Sequence, residues 1–227
     1  YEETEDGKKL PNRDIMCGYT LLHGNVLPEL VIRDEDDKSI GTNPDAIAAI
    51  KKELYAGRGV SIRFYADQSL PGQELSKHGY MNQKTWAHYT YKDEHVTHGV
   101  CIVGWDDSIS KDMFNSDPTK QPPADGAWIV KNSWGSETEY TTSTSGQTIG
   151  YKDWGIVNDE GKPTGYFYLS YYDKSIDSPE SMEFGTDFAQ YADKLMVYAH
   201  DYMPSTEDWS NTQPDTLKTA NVFTNET

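Results

Sequence analysis

The sequence has few cysteines, few basic residues and no long apolar run. Its 227 residues include two cysteines, Cys17 and Cys101, so it has neither a disulfide framework nor a C-x-x-C zinc or thioredoxin motif. No apolar run reaches the roughly 18 residues that a membrane-spanning helix needs, and we predict no membrane span. Because 37 acidic residues outnumber 20 basic ones, nucleic acids and anionic membranes are disfavoured as partners.

A helix is predicted directly after Asn43. Asn43 is a favourable N-cap, Pro44 suits the first helical position, and Gly57 can end the helix. Between these signals, apolar residues recur at helical spacing at Ile47, Ile50 and Leu54.

Strands are predicted where short apolar runs are bounded by turn-forming residues. These runs are 60–64, 98–105, 127–130 and 165–172, and the polar loops 106–125 and 136–150 separate the last three. A helix followed by strands that long loops connect predicts the α+β class, with an antiparallel sheet or barrel.

Three motifs follow one another along these strands. The first is HGVCIVGW at 98–105, the second is WIVKNSWG at 128–135, and the third joins Trp-Gly at 154–155 to Gly-Tyr-Phe at 165–167. This set resembles the papain family of cysteine peptidases, in which a His opens a buried strand and a later strand ends in Lys-Asn-Ser-Trp-Gly. The resemblance covers roughly residues 1–176, and it implies the second, β-rich and barrel-like half of a papain-like domain.

The resemblance implies roles for three residues. His98 is the general base and acid, Asn132 orients its ring, and Trp134 covers the His–Asn contact. The residue types suit the chemistry, because an imidazole takes the proton of a thiol and an amide holds the other ring nitrogen without adding a charge. An indole has the area to keep water away. Taken singly, such a His or Asn is more often a capping or turn residue, and the motif is what favours the catalytic positions.

Neither cysteine is interpreted as the nucleophile. Cys101 lies mid-strand in an apolar run and is predicted to be a buried small hydrophobe. The family nucleophile lies in a Gly-Ser-Cys-Trp type segment at a helix start, and no such segment occurs here. Cys17 resembles the family's Cys-x-Tyr position, which in many relatives is disulfide-bonded to the first half-domain. We therefore expect the nucleophile and the oxyanion-hole Gln in a first half that this sequence does not contain.

Metal binding is considered at two places and favoured at neither. Asp34-Glu35-Asp36-Asp37 lacks the Gly and distal Glu of an EF-hand loop, so a solvated turn is favoured over calcium. His88, His95 and His98 are close in sequence, but this stretch is predicted to be a loop entering a strand, without the fixed geometry that a metal needs. No metal and no cofactor is expected.

Residues 177–227 extend beyond the usual end of a papain domain. Apolar segments at 189–198 and 219–224 predict two strands, and two strands alone are marginally stable. We expect a linker and the first strands of a β-rich module. This part resembles bacterial cell-surface cysteine proteases that carry a lectin-like β module. The resemblance implies an extracellular or cell-surface location, with glycans as a further candidate ligand.

The expected function is thiol-dependent peptide-bond hydrolysis on protein or peptide substrates, with this chain supplying His98 and Asn132. It would require the first half of the peptidase domain as a partner. One alternative is a catalytically dead papain-like scaffold that binds proteins or carbohydrates at a surface, and another is a carbohydrate-binding protein. The paired His and Asn favour the enzyme, because a dead scaffold has no physical need for them.

Overall fold

The computed structural model describes residues 2–3, 9–10, 20–67, 76–136, 140–141, 148–150 and 153–185. The chain divides into two compact units, Tyr1–Thr20 with Gly185–Thr227, and Leu21–Phe184. In the described part of the first unit, β1 (Glu2–Glu3) pairs antiparallel with β2 (Lys9–Leu10). All three residues predicted for the site lie in the second unit.

The predicted helix is confirmed as α1 (Pro44–Tyr55). The side chain of Asn43 accepts a hydrogen bond from the Asp45 backbone N–H, and Pro44 stands in the first turn, where its missing N–H costs nothing. Gly57 follows the last turn with φ of +81°, a conformation that glycine adopts without steric cost. Across the described ranges, no helix is long and apolar enough to cross a membrane.

An eight-stranded sheet forms the body of the second unit. In spatial order its strands are β3 (Thr20–Val26), β14 (Asp177–Gly185), β6 (Val60–Phe64), β9 (His98–Asp106), β10 (Ala127–Lys131), β13 (Tyr166–Ser170), β8 (Ala87–His88) and β7 (Met81–Asn82). Two small pairs complete the described strands, β4 (Val31–Arg33) with β5 (Ser39–Thr42) and β11 (Tyr140–Thr141) with β12 (Thr148–Gly150).

The strands predicted from the three motifs and from 60–64 are all present, but the sheet is mixed and not antiparallel throughout. Strand β8 pairs parallel to β13, in the register Tyr168↔Ala87 and Leu169↔His88. Sequence periodicity predicts strands but not their partners, so this parallel pair was missed. Closure of the sheet into a barrel stays a prediction.

Strand β14 lies in the eight-stranded sheet although it follows position 176, where the sequence predicted the end of the papain-like domain. The inward-facing residues of β14 include Pro179 and Ser181. Pro179 and the charged residues near it hide this alternation of buried and exposed positions in the sequence. The pairing with β6 is irregular between Asp177 and Glu180, which is where a sheet tolerates a proline. The division into 1–176 and 177–227, and the β-rich module, stay predictions; the strands predicted at 189–198 and 219–224 lie outside the described residues.

The larger of two hydrophobic clusters packs on the sheet, and the alternation of side chains along the strands determines which residues join it. In β6, Val60, Ile62 and Phe64 are buried and the residues between them are exposed. In β9, Val100 and Ile102 are buried on the same alternation. Ile50 of α1 is fully buried in this core, so the helix covers this face of the sheet.

The acidic segment at 34–37 forms a turn. The carboxylate of Asp34 accepts hydrogen bonds from the backbone N–H groups of Asp36 and Lys38. Arg33 Nη1 donates to the Asp37 carbonyl. The segment therefore connects β4 to β5 as a solvated turn.

Candidate active site

His98 and Asn132 meet at one edge of the sheet because their strands are antiparallel neighbours. His98 opens β9, and Asn132 directly follows the end of β10. The start of one antiparallel strand lies beside the end of the next. The backbone N–H of Asn132 donates to the Gly165 carbonyl at 3.1 Å, which fixes Asn132 against the start of β13.

The hydrogen bond between the two side chains has a defined direction. His98 Nε2 lies 2.9 Å from Asn132 Oδ1. The same Oδ1 accepts the Ser133 backbone N–H at 2.7 Å, and an amide nitrogen in its place would face a donor. The atom facing His98 is therefore the oxygen, and Nε2 must carry the proton and donate it. The neutral ring then presents its lone pair at Nδ1, the atom that can take a proton from a thiol.

Trp134 stacks on the ring of His98. The ring centroids are 5.1 Å apart with an angle of 29° between the planes. Trp154 supports Trp134 from behind with an edge contact at 5.5 Å, and it also contacts Trp86 at 4.9 Å. Because Trp154 is 1% exposed, the wall that carries Trp134 is rigid.

His98 also contacts Phe64. The two rings lie 6.1 Å apart with an interplanar angle of 51°, and Phe64 is opposite His98 in the register of β6 and β9. Asn132 is 4% exposed, whereas His98 is half-buried. The histidine is therefore reachable from solvent, while its hydrogen bond to Asn132 is enclosed.

Comparison with known proteins shows the family of the chain. The sequence model of the family described as papain family cysteine protease matches residues 26–144, slightly more than half of the chain. The chain belongs to this family. The match includes His98, Asn132 and Trp134.

A solved structure matches this chain at low sequence identity. It comprises the cysteine protease and lectin-like domains of Cwp84, a surface layer associated protein of Clostridium difficile. The identity is 23% and the TM-score 0.40, and the match covers 72% of this chain. The chain spans 27% of the length of that structure. No curated protein sequence matches the chain significantly.

Cys101 lies on the opposite side of β9 from His98. Side chains alternate along a strand, so residues 98, 100 and 102 share one face and Cys101 points to the other. There it lines an open groove of about 570 Å³ with Arg58, Met182 and Phe184. Burial raises the pKa of its thiol, so the reactive thiolate is disfavoured. Cys101 is thus half-buried, less than the sequence predicted. Cys17 lies outside the described residues.

The histidines that were close in sequence are separated in the structure. His88 is fully buried and its Nδ1 faces Asp173 at 3.3 Å, whereas His95 is exposed. Among the described residues, no group of three or more His, Cys, Asp or Glu side chains could hold a metal ion.

Two residues of the site were not singled out from the sequence. Trp154 belongs to the quoted Trp-Gly motif, but nothing in that motif indicated that it supports Trp134. Phe64 was predicted to be a buried strand residue, and its contact with His98 follows from the pairing of β6 with β9. Local sequence carries no signal for a contact of that kind.

Proposed function

We propose that this chain supplies the histidine and asparagine of a thiol-dependent endopeptidase. The observation that carries the proposal is the direction of the His98–Asn132 hydrogen bond. Because Asn132 accepts from Nε2–H, the imidazole is held in the tautomer that leaves Nδ1 free to act as a base. An asparagine there holds the ring without placing a second negative charge beside a thiolate.

The reaction runs in two halves. Nδ1 of His98 takes the proton from a cysteine thiol, and the thiolate attacks the carbonyl carbon of the peptide bond. The imidazolium then gives this proton to the departing amine, so the C–N bond breaks and a thioester remains. Water enters, His98 accepts one of its protons, and the resulting attack releases the acid and restores the thiol.

The nucleophile in this proposal is a cysteine of the first half of the peptidase domain. Cys101 is unsuitable because it faces away from His98 and its thiol is stabilised in the protonated form. Trp134 keeps water from the His–Asn hydrogen bond, and its ring face also favours the imidazolium formed during the reaction. Asn132 and Trp134 act by holding His98.

The substrates in this proposal are proteins or peptides, and the missing half of the domain is an obligate partner. We further propose an extracellular or cell-surface location and a downstream β-rich, lectin-like module with glycans as ligands. These two proposals rest on the sequence resemblance alone. Neither adds a residue to the site.

The test is labelling of the complete peptidase, with its first half, by a peptidyl epoxide that alkylates active thiols. Intact-mass and peptide-mapping measurements should find one adduct, on a cysteine outside these 227 residues. His98→Ala should lose peptide hydrolysis by about 1,000-fold or more, and Cys101→Ala should be labelled fully. An adduct on Cys101 would contradict the proposal by placing the active thiol in this chain. The absence of an adduct on any cysteine would also contradict it and would favour the dead-scaffold alternative.

A further inference from the structure

His88 is a fully buried histidine enclosed by aromatic rings. Its exposure is 0%. Its ring makes an edge contact with Phe64 at 5.1 Å and an angle of 83°, and it lies 6.4 Å from both Phe167 and Tyr80. A buried polar ring is costly unless it is hydrogen-bonded, so the partners of His88 require an explanation.

Asp173 determines which nitrogen of His88 carries the proton. The buried carboxylate accepts hydrogen bonds from the Thr90 N–H at 2.7 Å, the Ser175 N–H at 2.9 Å and the Ser175 hydroxyl at 2.6 Å. With these donors around it the carboxylate is an acceptor only, so Nδ1 of His88 donates to it at 3.3 Å. Nε2 is then a buried acceptor, and within the described part of the chain it has no hydrogen-bond partner.

Burying a polar ring costs free energy, and the hydrogen bond to Asp173 offsets part of that cost. His88 holds its ring at one fixed place against Phe64, because the bond to Asp173 prevents rotation. A phenyl ring without this bond would be held by packing alone.

Phe64 links His88 to the proposed catalytic histidine. Its ring has His88 against one side, and it stacks on Phe167 at 5.6 Å and contacts His98 at 6.1 Å. Its carbonyl accepts the Thr97 N–H at 3.0 Å, so the residue before His98 is also attached to it.

The Asp173 network also holds the backbone at this corner. The Ser175 hydroxyl donates to Asp173 and accepts the Tyr65 backbone N–H at 2.9 Å. The next residue, Ala66, donates its N–H to the Thr97 hydroxyl oxygen at 3.0 Å. Side-chain and backbone contacts therefore run from Asp173 through Ser175 and the 65–66 backbone to Thr97, the residue before His98.

We propose that His88, anchored by Asp173, is a positioning residue that fixes the His98 imidazole through the ring of Phe64. The proposal rests on the proposed function, since it assigns a role in the same reaction. His88 touches neither substrate nor reacting atoms in it. The expected consequence of its loss is a displaced base, which lowers the rate of the chemical steps and leaves substrate binding unchanged.

The test compares variants of the complete peptidase in steady-state hydrolysis of a fluorogenic peptide. His88→Phe keeps a planar aromatic ring, larger than imidazole by one ring atom, and removes the donor to Asp173. We expect kcat to fall about tenfold with KM changed less than twofold. Because the buried polar ring is removed together with its hydrogen bond, the Tm should shift by only a few degrees.

Phe64→Leu and the double variant complete a mutant cycle. If His88 acts through Phe64, the two substitutions together should lower kcat no further than the larger single effect. Ile50→Val is the matched control: it removes a buried methyl group from the same core, without a ring contact to His98, and should lower Tm while leaving kcat unchanged.

A His88→Phe variant with the parental kcat would overturn the inference, and so would additive effects in the cycle. Wild-type peptidase that hydrolyses no peptide and gains no epoxide adduct would instead overturn the proposed function. The two failures are therefore distinguished by the wild-type measurement alone.

Discussion

Asn132 holds His98 through one oxygen atom, Oδ1, which accepts the His98 Nε2–H at 2.9 Å and the Ser133 N–H at 2.7 Å. The backbone bond fixes the amide, and the amide then fixes the imidazole. A water molecule in place of the Asn132 side chain would not be fixed by the backbone, so the His98 imidazole would be free to rotate.

Asn132→Ala is therefore expected to lower kcat/KM about 10- to 100-fold, the equivalent of one lost buried hydrogen bond. The measurement is hydrolysis of a fluorogenic peptide by the complete peptidase. Asn115→Ala is the matched control. Asn115 is a loop asparagine of nearly equal burial whose amide donates to the Gly79 carbonyl. It should lower stability and leave kcat/KM unchanged; equal losses in both variants would indicate a general effect of destabilisation.

Trp134→Ala should lower kcat/KM about tenfold, because the His98–Asn132 bond becomes accessible to water and the imidazolium loses the ring face against it. Trp134→Phe retains an aromatic ring and should keep most of the activity. Steady-state kinetics of the two variants at the same temperature provide the comparison. Full activity in the alanine variant would show that the indole does not serve catalysis.

Glu53 links the end of α1 to β14, since it accepts hydrogen bonds from Arg58 Nε at 2.7 Å and the Ser181 hydroxyl at 2.6 Å. These bonds, chiefly that from Arg58, lower the pKa of Glu53 to about 2, against the opposing effect of burial. A lowered folded-state pKa stabilises the protein above the unfolded value of 4.5, and the stabilisation is lost as pH falls toward 2.

Glu53→Gln should therefore cost about 3 kcal/mol of the free energy of unfolding at pH 7. The difference from wild type should shrink between about pH 4.5 and pH 2. Urea unfolding at several pH values measures this. The control is Glu180→Gln. Glu180 is exposed in β14, the strand that also contains Ser181, so this substitution should change the free energy of unfolding by less than about 0.5 kcal/mol at any pH.

Gly155 has φ of +99°, and a Cβ there would lie 2.7 Å from the Tyr166 carbonyl oxygen and 2.8 Å from the Gly165 and Tyr166 nitrogens. All three neighbours are backbone atoms that cannot move aside. Gly155→Ala should therefore cost about 3 to 4 kcal/mol, the sum of backbone strain and overpacking.

Gly161 separates the two causes of that cost. Its φ of +76° is similar, but a Cβ there meets nothing within 4 Å. Gly161→Ala should cost only the backbone strain, about 1 to 2 kcal/mol. Denaturant unfolding of the two variants gives the comparison, and equal costs would contradict the role assigned to the close approach at Gly155.

Several features of the chain could be predicted from local sequence because local forces produce them. The helix α1 begins at Asn43 and Pro44 through capping and a restricted φ, and the buried strands β6 and β9 follow from alternation and apolar runs. His98 and Asn132 could be selected because the motif around each is specific to a family.

Other features of the fold depend on the pairing of segments that are distant in sequence. The parallel pairing of β8 with β13 joins short segments that carry no periodicity of their own. Strand β14 was concealed by Pro179, which the irregular pairing with β6 accommodates.

The sequence by itself determined the family, the helix, the buried strands and the identity of the paired histidine and asparagine, because these depend on residues adjacent along the chain. Only the tertiary structure decided which atom of Asn132 faces His98, on which side of β9 Cys101 points, and that Phe64 and His88 lie beneath the site. Contacts of this kind join residues tens of positions apart, and they form only when packing brings separate strands together.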